Sequence, residues 1–467
     1  ELAVYGIYEN LRFHSAGAGI FVSNFQMVDA LSGTAETETG QNSDLNTLYS
    51  YQYTGDNLLL SQWWRELYEG IGNANLALEK IPGIPNILPA NQTKWVGQAK
   101  FMRAFHYFWL VRLWGDIPLI TTPVSLYTDP LVNPSRSSTQ SVYDLIVADL
   151  KDAEAAGFAV TDATGLASQM AVKSLLAEVY LTMAGFPLNK GAEYYQLAAT
   201  KAKEVIDYAT ANPGKIALFP SYDDIHNPAK ENTLEHIFGI QYAPGIANGG
   251  YQDKFLKNNL DFTASGEVGT TVPTAAFLAS YEPNDKRTQE KGFYFKQYHL
   301  LGGAATGPAL DLGRFYVYKH FDTPANGVLG TAGTGASGLN YPLIRYAEVL
   351  LTYAEAQNEI SAGNVDAFNA LKAIRDRAGL TTDPALAGNQ GTFRESVWKE
   401  RWHELSFENI TWFDMIRLRK AYNNTSFVNF IGATLNGSTL ESKHLLLPLP
   451  AADFRNNPNL KTNNPGW

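Results

Sequence analysis

The chain has 467 residues, 45% apolar and 12% aromatic, which suffices for one large helical domain or two to three average ones. A formal charge of −10 with no Lys/Arg-rich run argues against a phosphate-backbone binder and an anionic-membrane patch. Without cysteine there is no disulfide framework, thiolate metal site or cysteine nucleophile.

No apolar run reaches the roughly 18 residues of a membrane span. The first residue is Glu, not Met, so a signal or anchor segment is expected upstream. Helical periodicity predicts helices over 2–13, 56–80, 92–114, 140–156, 168–185 and 192–209. Stop signals follow two of them: Pro82 after Lys80, and Gly185-Phe-Pro after Ala184.

The helix ending at Trp114 leaves almost no polar face from Lys100 onward, with only Lys100, Arg103 and His106 on a stripe and Arg112 opposite. Such a helix is buried between neighbours, so its aromatics are read as core rather than as a ligand platform. Gly115 suits the left-handed position past a helix end, and Pro118 biases Ile117 toward extended backbone.

From 212 to 340 the periodicity fades and Gly, Asn, Pro and Tyr dominate. Two alternating runs, 293–298 and 314–321, predict a strand pair joined by a Gly-rich loop. So long a connection is uncommon unless it is functional or has its own structure. Within it, Gly333-Thr-Gly-Ala-Ser-Gly fits Gly-x-Gly-x-x-Gly but lacks the strand–turn–helix context of a dinucleotide site, so it reads as a loop.

Helices resume at 343–361, 366–378 and 393–420, the last broken near Asn409. Ala177-Glu-Val-Tyr-Leu-Thr-Met-Ala is echoed by Ala347-Glu-Val-Leu-Leu-Thr-Tyr-Ala. Each run precedes a helix with small residues at packing positions, Ala198 and Ala202 in one, Ala367, Ala370 and Ala373 in the other. This is the pattern of stacked, tetratricopeptide-like helix pairs.

In the last helical segment Glu400, Glu404 and Glu408 share a stripe, an arrangement that can serve acid/base chemistry. His403-Glu404 begins a zinc motif that fails at Phe407. An ion network with Arg401, Arg417 and Arg419 is the favoured reading, with Trp398, Trp402, Leu405, Trp412, Phe413 and Ile416 packed inward. No cofactor motif is present, although Asp253, Asp261 and Glu267 could hold Ca²⁺.

Four segments carry a family resemblance: Arg103-Ala-Phe-His-Tyr-Phe with Trp114-Gly-Asp-Ile-Pro-Leu; Tyr341-Pro-Leu-Ile-Arg-Tyr-Ala-Glu; Glu400-Arg-Trp-His-Glu-Leu through Arg417; and Leu447-Pro-Leu-Pro with Asn464-Pro-Gly-Trp. In this order they resemble the SusD-like (RagB/SusD) family, glycan-binding outer-membrane lipoproteins of Bacteroidetes. The resemblance implies a single, mainly α domain over 1–467. Its tetratricopeptide-like scaffold would span 1–210 and 341–467, and its loop-rich, ligand-binding region with a few short strands 211–340. It also implies a lipid anchor upstream, a place on the cell surface, and a SusC-like TonB-dependent transporter as partner.

A neutral sugar is met by aromatic rings under its C–H faces and planar polar groups at its edges, and tyrosine suits this role. Two loop regions qualify, and the resemblance places the family's ligand site in these parts of the chain. One, 29–56, supplies Asn42, Asp44, Tyr49, Tyr51 and Tyr53. The other, 241–318, supplies Tyr242, Asn248, Tyr251, Tyr281, Arg287, Tyr294 and Tyr298. The expected function is non-catalytic capture of oligosaccharides or polysaccharide fragments for import. A glycoside hydrolase on a helical scaffold and a protein-only adaptor are the alternatives.

Overall fold

The helices start where side chains can take the first free N–H groups, as seen in a computed structural model. It describes residues 2–12, 27–38, 40, 42–124, 132–243, 246, 269, 271–298, 309–322, 337–420, 434–435 and 438–467. In the first half the helices are α1 (Leu2–Glu9), α2 (Met27–Leu31), α3 (Ser43–Tyr49), α4 (Leu58–Lys80), α5 (Pro89–Trp114), α6 (Thr139–Glu154), α7 (Gln169–Ala184) and α8 (Ala192–Ala211). Then come α9 (Ala275–Ala279), α10 (Tyr346–Ile360), α11 (Val365–Arg377), α12 (Gln390–Glu404), α13 (Thr411–Arg417) and α14 (Ala451–Asn456).

Asn57, Ser138, Ser168, Asn364 and Asn389 cap α4, α6, α7, α11 and α12 through their side-chain oxygens. Helix α5 opens instead on Pro89, whose missing N–H costs nothing at that position.

The helices pack as successive pairs, α4 on α5, α5 on α6 and α7 on α8. Helix α8 then packs on α10, and α10 on α11 and α12, so the second helical block continues the first in space. The echoed segments lie in α7 and α10. Ala198, Ala202, Ala367 and Ala370 are buried, which is what close helix approach requires.

The aromatic end of α5 is core, as expected. Trp109 packs on Trp63 and Phe413, and Trp114 on Trp64. On the polar stripe, Arg103 forks onto Asp149 of α6 (2.7 and 2.9 Å) and donates to Asn75 of α4 (2.9 Å). At the stop, Gly115 has a positive φ of 69°. There the C-terminal segment closes over the helix end. The Leu447 N–H donates to Leu113 O (2.8 Å), and Asn464 Nδ2 to Trp114 O (2.9 Å).

The strands pair only in antiparallel twos among the described residues: β1 (Ala35–Glu36) with β5 (Val272–Pro273), β2 (Ile117–Pro118) with β3 (Arg136–Ser137), β4 (His236–Ile240) with β8 (Tyr341–Arg345), β6 (Tyr294–Tyr298) with β7 (Leu310–Val317), and β9 (Thr434–Leu435) with β10 (Ser438–Thr439). The expected strand pair is therefore present, with β7 starting four residues before Arg314.

Three expectations are corrected. Residues 343–345, read as helix, are extended in β8. Arg345 is extended (φ −116°, ψ 152°), and β4 pairs with the segment from Ile240↔Tyr341 to His236↔Arg345. The loop read over 29–56 contains α3, because Asn42 caps it and Leu45, Leu48 and Tyr49 give it a buried face. The helix read over 2–13 ends at Glu9 and finishes as a tighter turn, Asn10–Arg12.

Candidate functional site

Two stretches more than two hundred residues apart meet here. Ala35 pairs with Pro273 and Glu36 with Val272, extending one short strand by another. The Glu38 N–H donates to Gly269 O (2.9 Å), and the Thr274 N–H to Thr34 O (3.0 Å). Thr34 is itself held by Trp402 Nε1 of α12 (3.0 Å). The 29–56 region and the long insert thus form one surface fastened to the helical scaffold.

Strand β7 lies beside this junction and adds its polar groups. Arg314 Nη2 pairs with Glu36 and donates to Pro273 O (3.4 Å). The Tyr316 hydroxyl donates to Glu38 (2.7 Å), and burial followed by this carboxylate pushes its pKa up. Arg314 Nε is buried and has no acceptor among the described residues. Around them, Glu36, Glu38, Arg314 and Phe315 are half-buried, while Gly40, Gln297, Asp311 and Gly313 are exposed. Lys296 pairs with Asp311 across the hairpin at 3.2 Å.

Beneath the hairpin Phe295, Tyr298, Tyr316, Tyr318 and Phe321 form a second apolar cluster, separate from the main core. Both ends of the hairpin are anchored in the scaffold. Before β6, Arg287 forks onto Asp285 (2.7 and 2.9 Å) and donates to Glu400 (2.6 Å) and Glu404 (3.2 Å) of α12. After β7, Lys319 donates to Glu404 O (2.6 Å) and pairs with Glu408. Burial raises the Glu408 carboxyl, but Arg345 and Lys319 outweigh it and hold the pKa at about 2.

The expected ligand residues separate sharply. Asn42 caps α3, accepting from the Leu45 N–H (3.0 Å), and Asp44 accepts from the Leu58 N–H (3.2 Å) at the start of α4. Tyr49, Tyr51, Tyr53, Tyr242, Tyr281, Tyr294 and Tyr298 are buried, so none lays an open ring face on the surface. The Tyr51 hydroxyl donates to Leu31 O (2.9 Å), and Tyr49 to Thr271 Oγ1 (3.3 Å). Tyr281 stacks on His403 at 3.9 Å and donates to His403 O (3.0 Å). Tyr53 packs on Trp467 and His444. Arg287, expected at a sugar edge, is wholly buried among carboxylates. Tyrosine's amphipathic character serves a core wall as well as a ligand platform, and here the core takes it. Asn248, Tyr251, Asp253, Asp261 and Glu267 lie outside the described residues. No group of three metal-binding side chains occurs among the described residues.

Arg314 and Phe315, which the structure brings to this junction, were not among the expected residues, nor was the coupling of Glu36 to Arg314. The ion pair spans 278 residues, and no local spacing signals it. The Glu400, Glu404 and Glu408 stripe is an ion network, but its partners are Arg287, Arg345, Arg375, Arg377 and Lys319. Arg401 and Arg417 pair instead with Asp414 and Glu355, and Arg419 sits over the Phe186 ring at 3.8 Å.

Comparison with known proteins now gives the family. Residues 313–467 match the SusD family, and residues 20–181 match a family described as starch-binding and associating with the outer membrane. SusD-like protein P2 of Formosa agariphila is 30% identical over 453 residues, covering 92% of this chain and 84% of that protein. A crystal structure of a SusD superfamily protein from Parabacteroides distasonis superposes with a TM-score of 0.87 at 33% identity, covering 99% and 98% of the two chains. Surface glycan-binding protein A from Bacteroides fluxus shares the fold at 21% identity, with a TM-score of 0.76 over 100% and 98%. With this identity sustained along nearly the whole chain, the protein belongs to the SusD-like family.

Proposed function

We propose that the chain is a non-catalytic glycan-binding protein that takes up oligosaccharides on the surface where residues 34–44 meet β7, and delivers them to a TonB-dependent transporter. The observation that carries this reading is the Glu36–Arg314–Glu38–Tyr316 constellation. It sets carboxylate acceptors and a guanidinium with an unmatched Nε on one surface, with the half-buried Phe315 next to Arg314 in β7. Planar polar groups around an apolar face are what a pyranose demands. Asn248 and Tyr251, in the same insert, remain the candidate loop contacts.

The family description supports a carbohydrate ligand and outer-membrane association. A lipid anchor upstream of Glu1 would tether the protein there. Against hydrolysis stands the burial of the only carboxylate stripe singled out in the sequence. Glu400 and Glu404 are closed off from solvent and bonded to arginines, leaving no room for a sugar between them.

The test is native affinity electrophoresis through gels containing a panel of neutral and acidic polysaccharides, with reducing ends assayed in parallel. Retardation by one polymer without release of reducing ends is expected. Affinity should be micromolar to millimolar, about −4 to −8 kcal/mol. Arg314→Ala and Phe315→Ala should each cut retardation while melting normally. Released reducing ends would favour the hydrolase. No retardation, combined with capture of the transporter, would favour the adaptor.

A further inference from the structure

Three of the four sequence blocks that mark the family meet away from the loop surface just described. Gly115 and Asp116 follow α5, Phe413, Ile416 and Arg417 come from α13, and Asn464 and Pro465 lie near the chain end. Together they line one cavity of about 560 Å³. That volume is in the range of small-molecule sites, roughly 300–1,000 Å³. The glycan-binding reading makes no use of it.

The walls are apolar, with Val111, Phe186, Pro187, Phe413, Ile416 and Leu446 among them. The charged lining is one-sided: Arg112, Arg136, Arg417 and Lys443 against the single carboxylate of Asp116. What each has left to offer decides the ligand. Asp116 Oδ1 accepts from the Thr139 N–H (2.7 Å) and hydroxyl (2.8 Å). Arg417 is forked onto Glu355 and Asp414. Arg136 holds Asp116 O (2.8 Å), Thr462 O (3.0 Å) and the Asn464 side chain.

Arg112 is different. Its guanidinium lies between the rings of Phe108 and Phe413, 3.7 and 3.9 Å from their centroids. Nε donates to Phe108 O (3.1 Å) and Nη1 to Glu178 (2.8 Å), which leaves Nη2 without an acceptor among the described residues. Lys443 Nζ pairs with Glu441 at 3.3 Å and lies 5.2 Å from the Trp467 ring centroid, which leaves it further donor directions. The open charged donors are therefore N–H groups on cations, set in an apolar wall beside the Tyr143, Thr182 and Ser442 hydroxyls, which can also donate. A ligand that accepts from them at one end and brings an apolar body at the other fits this lining.

We propose that this cavity binds a small monocarboxylate with an apolar ring or chain, the carboxylate accepting from Arg112 Nη2 with Lys443 as the second cation, and the body resting on Phe186, Phe413 and Ile416. The ring-clamped guanidinium is held ready for it, so little side-chain entropy is lost on binding.

Isothermal titration of the full chain with hydrocinnamate, and with the isosteric hydrocinnamyl alcohol, tests this. One site per chain is expected, with the acid bound about tenfold or more tightly than the alcohol, as a charge-assisted hydrogen bond requires. Ile416→Trp, which fills the cavity, should abolish binding, and Lys443→Gln should weaken the acid alone. Leu446→Trp is the second filling variant should Ile416→Trp fail to fold. Both filled variants should keep polysaccharide retardation, so the outcome is independent of the glycan-binding reading. Absence of saturable binding, equal affinity for acid and alcohol, or full binding in a folded filled variant would each overturn the proposal.

Discussion

Gly70 lies so close to α5 that a Cβ there would come within 2.3 Å of His106 Nε2. Burial lowers the His106 pKa to about 4, so the ring is neutral and can serve as a packing surface. Gly70→Ala should therefore destabilise the fold by about 1–3 kcal/mol, seen as a lower denaturation midpoint at unchanged slope. Asp29 makes a second case at this scale. It is buried near Glu408 and Lys319, and burial outweighs a hydrogen bond from the Asn409 N–H and raises its pKa to about 7. The folded chain then binds a proton that the unfolded chain releases near pH 4. Stability from this group is highest below that pH, falls as pH rises toward 7 and is flat above. Asp29→Asn should raise the melting temperature more at pH 8 than at pH 5, and equal shifts would mean that the carboxylate is ionised throughout. Neither residue was legible beforehand: a glycine inside a helix and an acid before an apolar run carry no sign of what crosses them in space.

Among the elements, α12 shows what patterning can and cannot reveal. Its apolar stripe and the break near Asn409 were readable, and Asn409 has the positive φ of 59° that the break needs. That the glutamate stripe is ion-paired was also readable. Its partners were not, because Arg287, Arg345 and Arg377 arrive from three other elements through the tertiary fold. Glu404 accepts from all three. Glu404→Gln leaves those guanidiniums buried and under-compensated, so a loss of about 3–5 kcal/mol is expected in chemical denaturation. Breaking the exposed Lys203–Asp207 pair of α8, with 36% and 62% of its side chains exposed, should cost about 0.5 kcal/mol or less. The same reasoning explains the site residues. Sequence named two regions that the fold brings together at the junction, yet chose tyrosines whose rings the core claims. Which side of a short segment faces inward depends on α3 and on the β1–β5 pairing, and neither announces itself in a loop-like composition.

Among the described residues the buried apolar side chains fall into two clusters, the helical core and the smaller group under the β6–β7 hairpin. The smaller one has fewer contacts to lose, so it should open first. Native-state hydrogen exchange is expected to show β6 and β7 amides, such as those of Phe295 and Tyr316, exchanging through a lower-energy opening than those of Phe105 and Phe108 in α5. Identical exchange free energies would mean that hairpin and scaffold unfold as one unit. The helical order, the pairing of echoed helices and the buried end of α5 were all legible because 3.6-residue periodicity is local. The strand pair was legible too, but the second cluster was not, since Val272 and Phe321 join it from outside the hairpin. One consequence concerns change over generations. Arg287 and Lys319 clamp the hairpin at both ends to the same acidic helix, so the chain between β6 and β7 can lengthen or be rewritten without moving its posts. Doubling such a loop costs only about 0.6 kcal/mol in closure entropy. A lineage can thus exchange the connecting loop while inheriting the frame unchanged.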